Sequence, residues 1–143
     1  MSITFRSATV DDAFEISNLS KQFGYNTDEQ DTKKYLNQLK DVKDSTVLVA
    51  LHDNMIVGWI QVSDMLRVES GRFCEVVGLV VDEHHRGKGI GKSLIEEAKT
   101  WTINRGCNKL IVRTNVKRNN AHRFYSSVGF TEVKEQKVFE MKL

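Results

Sequence analysis

The feature that most restricts the fold is a junction between two kinds of backbone. An apolar run over residues 76–81 leads into Arg86-Gly87-Lys88-Gly89-Ile90-Gly91-Lys92-Ser93, a glycine-rich basic turn that opens an amphipathic helix. A strand feeding such a turn and then a helix presents unpaired backbone N–H groups and the positive end of the helix dipole. That is a seat for an anion, reinforced by the basic side chains Arg86, Lys88 and Lys92. A second signature, Ala121-His122-Arg123-Phe124-Tyr125, lies four residues before Gly129-Phe130.

Spacing tests which phosphate ligand the turn suits. The phosphate loop of nucleoside triphosphatases requires G-x-x-x-x-G-K-[ST]; Gly91-Lys92-Ser93 supplies its end, but the place of the first glycine is held by Arg86. The dinucleotide fingerprint G-x-G-x-x-G fails at its last glycine, where Lys92 stands.

What remains is R-G-x-G-x-G. The run from Glu75-Val76-Val77-Gly78-Leu79-Val80-Val81 through Arg86-Gly87-Lys88-Gly89-Ile90-Gly91 is followed by Arg118-Asn119-Asn120-Ala121-His122-Arg123-Phe124-Tyr125. In this order and separation the two segments resemble the GNAT superfamily of N-acetyltransferases, over roughly residues 73–130. The resemblance implies a mixed α/β fold: a central, mostly antiparallel sheet of about six to seven strands with about four helices, two strands splaying around the coenzyme. It implies acetyl-CoA as cosubstrate and a primary amine as acceptor. A homodimer through the last strands or an exposed edge is compatible with it.

Length and composition bound the rest. At 143 residues, 40% hydrophobic and 28% charged, the sequence is expected to form a single domain over residues 1–143. No leader and no apolar stretch of about 18 residues is evident, so a cytoplasmic protein without membrane contact is expected. Cys74 and Cys107 form no C-x-x-C, which fits reduced thiols, with Cys74 in the core, and no metal is expected.

The net charge of +2 hides an asymmetry. Over residues 1–85, Lys and Arg are outnumbered by Asp and Glu, eight to fourteen; over residues 86–123 they outnumber them ten to two. Basic charge therefore coincides with the glycine turn and suits the pyrophosphate and 3′-phosphate of coenzyme A. No nucleic-acid motif accompanies it, so no nucleic-acid partner is expected.

In chain order, residues 3–8 read as a strand, and Thr9 with Asp12 starts a helix with a stripe of Ala13, Ile16, Leu19 and Phe23. Thr27 with Gln30 starts a second helix, burying Tyr35, Leu36 and Leu39. In the superfamily these two helices build much of the acceptor site, and Tyr25 and Asp28 on the joining loop either meet substrate or are ordinary turn residues. Residues 46–51 and 55–65 form a hairpin about Asp53-Asn54. Residues 64–72 read as a loop, residues 73–81 as a central strand and residues 89–105 as a helix stopped by Gly106. A strand over 110–114 ends at Asn115, Asn119 or Asn120 caps a short helix, and residues 130–143 alternate as a final pair of strands.

Glu75 is a carboxylate inside an otherwise apolar strand, a costly placement unless it is paired or exposed in a cleft. By resemblance it is the general base on the acceptor amine; the alternative is a salt bridge to Arg6 or Arg72. Tyr125 is by resemblance the acid for the departing thiolate, since a phenol with a reference pKa of about 10 stays protonated at neutral pH. Coenzyme contacts are expected from the backbone of Arg86, Gly87, Lys88, Gly89, Ile90, Gly91 and Lys92, and by resemblance from Leu79, Val80 and Val81, which would also help polarise the thioester carbonyl. Asn115 and Arg118 complete the coenzyme set; Arg118 stands where many relatives have asparagine. His84 and His85 read as loop residues, and His122 neighbours Tyr125 on its helix. The acidic first 85 residues suggest a small cationic acceptor. A protein lysine or N-terminus, or a non-catalytic coenzyme-binding module, are the alternatives.

Overall fold

The computed structural model describes residues 1–143, in two compact units, Met1–Val112 and Arg113–Leu143. The first unit holds a sheet of five strands in sequence order: β1 Thr4–Ser7, β2 Ser45–His52, β3 Met55–Arg67, β4 Gly71–Val81 and β5 Leu110–Val112. Helices α1 Ala13–Gln22 and α2 Glu29–Leu39 separate β1 from β2, and α3 Ile90–Asn104 separates β4 from β5. The first four strands are antiparallel neighbours, while β5 runs parallel to β4. A parallel pair needs a crossover, and α3 supplies it.

Alternation along β3 assigns the helices to faces. Trp59 packs on a core built from Ala13, Ile16 and Leu19 of α1 and Leu36 of α2. Its neighbour Gly58 faces the other way, where a β-carbon would lie 3.2 Å from Leu94 Cδ1 and 3.0 Å from the Val80 carbonyl oxygen. So α1 and α2 cover one face of the sheet and α3 the other, with Ile60, Ile90, Leu94 and Ile95 fully buried in the second layer.

Several local expectations hold and several shift. The Thr9 N–H donates to Asp12 Oδ2 at 2.8 Å, as the capping pattern requires, and Asp12 also receives Arg6 at 2.8 and 2.9 Å. For α2 the cap is Asp28, not Thr27: its Oδ1 accepts the Asp31 N–H at 2.8 Å, and a carboxylate there favours the helix dipole. Tyr35, expected to be buried, is half-exposed beside buried Leu36. Residues 64–72 are not a loop, since β3 continues to Arg67 and β4 begins at Gly71, whose φ of 75° makes the tight turn. Asp53 and Asn54, with φ of 51° and 62°, form the turn expected between β2 and β3.

The second unit contains one regular element, α4 Asn119–Ser127, with Arg118 rather than an asparagine at its cap. Residues 130–143 are neither helix nor strand, so the sheet has five strands rather than six or seven. Their alternation is strand-like, with Phe139 and Met141 exposed among charged neighbours. A hairpin without further strands is marginal in water, and periodicity alone names no partner.

Candidate functional site

The glycine turn is built as the sequence requires. Gly87 and Gly89 both adopt left-handed backbone, φ 77° and 82°, and Gly89 occupies the cap position of α3. The first bond of that helix runs from the Ser93 N–H to the Gly89 carbonyl at 3.0 Å, so the N–H groups of Ile90, Gly91 and Lys92 point out of the helix end. Lys88 and Lys92 are exposed at the rim. Arg86 is used differently, its guanidinium lying 4.6 Å above the centre of the Phe23 ring at the end of α1.

A second tie joins α1 to the turn that precedes the glycines. Gln22 Nε2 donates to Asp82 Oδ1, and the Glu83 N–H donates to Gln22 Oε1, both at 2.9 Å. His85 Nδ1 sits 2.6 Å from Asp82 Oδ2. Burial pushes the Asp82 carboxyl up, but the hydrogen bonds from Gln22 and His85 prevail and hold it below its ordinary value. His85 is thus a structural partner, whereas His84 stays exposed.

Upstream, β4 offers an open edge. Strand β5 pairs with β4 only from Cys74 to Val76. The Asp82 N–H donates to the Val57 carbonyl at 2.8 Å, so alternation turns the backbone groups of Val80 toward β3 and those of Leu79 and Val81 toward the open side. Gln61 pairs with Gly78 and Val62 with Val76, which leaves Val77 as a bulge at the place where β4 and β5 part.

A cleft of about 260 Å³ opens beside this bulge on the face covered by α1 and α2. Trp59, Gln61, Val77 and Gly78 contribute from the sheet, and Tyr25 and Tyr35 from the helical side. Glu75 pairs with Ser63, which shares a face of β3 with Gln61 and Trp59, so this carboxylate stands on the cleft side, half-buried. Asp28 is occupied as a cap, whereas Tyr25 on the same loop lines the cleft.

Away from the cleft, Asp64, Cys74 and Cys107 bring an oxygen and two sulfurs within 4.8 Å of one another. The sequence separates them too widely to reveal this group. Asp64 is committed to Arg72 and Arg105, with contacts of 2.5 and 2.8 Å, and hydrogen bonds from Arg72 first and Arg105 second hold its carboxyl well below the usual range against the cost of burial. Burial pushes the Cys74 thiol up to about 11, which keeps it protonated and suits a core role.

The remaining expected residues belong to the second unit. The Tyr125 ring meets Phe124 and Phe130 edge to face at centroid distances of 5.1 and 5.6 Å. His122 Nε2 lies 2.9 Å from the Asn115 carbonyl, and Asn115 Oδ1 accepts the Lys117 N–H at 2.9 Å. The Arg118 carbonyl accepts the first helical N–H, from His122, at 3.1 Å.

Motif reasoning missed Trp59, Gln61, Tyr35 and Gln22. One signal pointed to the first of these: a glycine at 78 within a β-branched run, which marks a close approach by another group.

Comparison with known proteins places this geometry in context. The family model described as acetyltransferase (GNAT) family matches residues 10–130. Aminoglycoside N(6')-acetyltransferase type 1 of Stenotrophomonas maltophilia is 28% identical over 145 residues, covering 98% of this chain and 94% of the relative. Streptothricin acetyltransferase of Escherichia coli is 31% identical over 103 residues, covering 69% of this chain and 55% of the relative. The solved structure of aminoglycoside N-acetyltransferase AAC(6')-Iy in complex with CoA shares the fold, with a TM-score of 0.89 at 16% identity, covering 99% of this chain and 96% of that one.

Proposed function

The chain belongs to the GNAT family of acetyltransferases, and from that premise we propose that it moves the acetyl group of acetyl-CoA directly to a small primary amine in a ternary complex, residues 1–143 acting as one catalytic domain. The observation that carries this reading is the continuity of the open β4 edge with the left-handed glycine turn and the α3 N-terminus, beside a cleft of small-molecule size.

Each part has a chemical task. The N–H groups around residues 86–92 hold the pyrophosphate, with Lys88 and Lys92 adding positive charge at the rim. The edge groups of Leu79 and Val81 receive the amides of the pantetheine arm as a neighbouring strand would, and an N–H there polarises the thioester carbonyl. Val80 contributes to the coenzyme site through its place in the β3 ladder. Asn115 and Arg118 are assigned to the coenzyme by resemblance.

Glu75 takes the proton from the acceptor ammonium, through water, and leaves a neutral amine. The amine lone pair forms the new C–N bond and the C–S bond breaks. Tyr125 supplies the proton that the departing thiolate needs. The nitrogen's second proton, released as the C–N bond forms, passes through water to the phenolate that Tyr125 becomes on protonating the thiolate. Glu75 gives its proton to solvent, so that both protons lost by the acceptor are accounted for.

A calorimetric titration with acetyl-CoA at low and moderate salt, followed by a thiol-release assay across a panel of amines, tests the reading. One-to-one binding that weakens with salt and amine-dependent release are expected. Absence of binding at both salt concentrations overturns it.

A further inference from the structure

Resting on the transferase reading above, we propose that the acceptor is a monoamine carried on a compact aromatic body, gripped by Trp59, Tyr25 and Tyr35, and not a polycation.

The lining of the cleft carries the inference. Three aromatic rings and several aliphatic side chains form it, and none of its side chains bears a formal charge. A polyamine or aminoglycoside brings several ammonium groups, each of which must keep its water or find a carboxylate when it enters a cleft. Here no carboxylate waits for the second or third charge. An acidic first half of the chain suggested otherwise, but none of its carboxylates lines the cleft. Glu75, on the cleft side, is assigned to the first proton, and Asp12 is engaged with Arg6, Asp28 at the α2 cap, Asp64 with Arg72 and Arg105, and Asp82 with Gln22 and His85.

Three of the cleft's hydroxyls are similarly committed: Ser20 Oγ donates to the Ile16 carbonyl at 2.8 Å, and Thr27 and Thr32 share a hydrogen bond at 3.3 Å. Trp59 Nε1 is a buried donor with no partner in the protein. It rewards an acceptor atom on the ligand that comes within reach.

Aromatic rings favour other rings in offset or edge-to-face contact, and a ring at the cleft would cover Tyr25 and Tyr35, which are 49% and 52% exposed. The same rings attract one cation through their faces, which helps a monoamine to approach before it loses its proton. A volume of about 260 Å³ lies just under the usual range for ligand sites, roughly 300–1,000 Å³, and suits a body of one or two rings.

The test compares kcat/KM for 2-phenylethylamine, spermidine and kanamycin by thiol release, with acetyl-CoA affinity measured separately by calorimetry. At least a tenfold preference for 2-phenylethylamine is expected. Trp59→Leu and Tyr35→Ala should each lower its kcat/KM about tenfold while coenzyme affinity is kept. Tyr35 is half-exposed on α2, so its variant reads the contact even where Trp59→Leu fails to fold. Equal or greater turnover of spermidine or kanamycin overturns the acceptor class and leaves the transferase standing. Unchanged kcat/KM in the Tyr35 variant also overturns it. Binding of acetyl-CoA with no turnover of any amine overturns the transferase reading beneath it.

Discussion

The benzo edge of Trp59 stands almost where a side chain on Gly78 would begin: a β-carbon there would lie 2.7 Å from Cζ3 and 2.8 Å from Cη2. The indole of one strand therefore reaches across the backbone of the next, and the floor of the cleft depends on a missing methyl group. Gly78→Ala should push the ring aside, destabilise the fold by about 1–3 kcal/mol and raise the acceptor KM without weakening acetyl-CoA binding. Urea unfolding and steady-state kinetics check this; an unchanged KM would separate the ring from acceptor binding.

Glu75 and Tyr125 are assigned opposite proton movements, so their variants should fail differently. Tyr125→Phe should lower kcat about 100-fold while acetyl-CoA still binds, and Glu75→Gln should lower kcat/KM similarly with acetyl-CoA affinity kept. Steady-state kinetics and calorimetry on both variants decide the roles. An unchanged kcat/KM in Glu75→Gln assigns the base elsewhere.

Gln22 touches no motif, yet its amide bridges Asp82 and the Glu83 N–H just before the glycine turn. Gln22→Ala should weaken acetyl-CoA binding several-fold, since net hydrogen bonds contribute about 1 kcal/mol each and their loss lets the turn wander. Calorimetry reads the dissociation constant directly. An unaltered value would mean that the Arg86–Phe23 stack holds the turn by itself.

Asp64 ties the β3–β4 hairpin to Arg105, and its carboxyl is held low in the folded state. The unfolded chain therefore binds this proton more readily: the stabilisation is complete above the unfolded pKa, about 3.9, and fades as pH falls toward the folded value. Asp64→Asn should lower the melting temperature by several degrees at pH 7, with the gap from the parent narrowing below about pH 4. Melting curves at pH 7, 5 and 3 test it; a gap constant with pH would rule out the charge as its source.

The parts of the fold legible in the sequence were those specified by neighbours in the chain. Gly89 and Gly106 mark the limits of α3, Asp53-Asn54 marks a hairpin, and the glycine turn announces an anion seat, because each needs only local backbone chemistry. Thr27 and Asp28 compete for one cap, and their order in the sequence does not say which side chain will reach the Asp31 N–H. The β3–β4 turn was hidden because Arg67, Glu69 and Ser70 look like a loop while the register that extends both strands is set across the sheet. Trp59, Gln61 and Tyr35 meet at the cleft from separate elements, and no spacing rule joins them. Only Gly78 hinted at the indole, by being a glycine where the strand wanted a branched side chain.

The early parting of β4 and β5 has a consequence for handling the protein. An unpaired row of amides and carbonyls is a template for any extended chain, and sheets normally blunt such a margin with charge, distortion or a cover. Here the margin is left open from Val77 to Val81, with only the bulge to distort it. On the proposed coenzyme reading a pantetheine arm would lie along this margin and close the seam, so coenzyme in the buffer should protect the purified protein against precipitation and proteolysis as well as feed its chemistry.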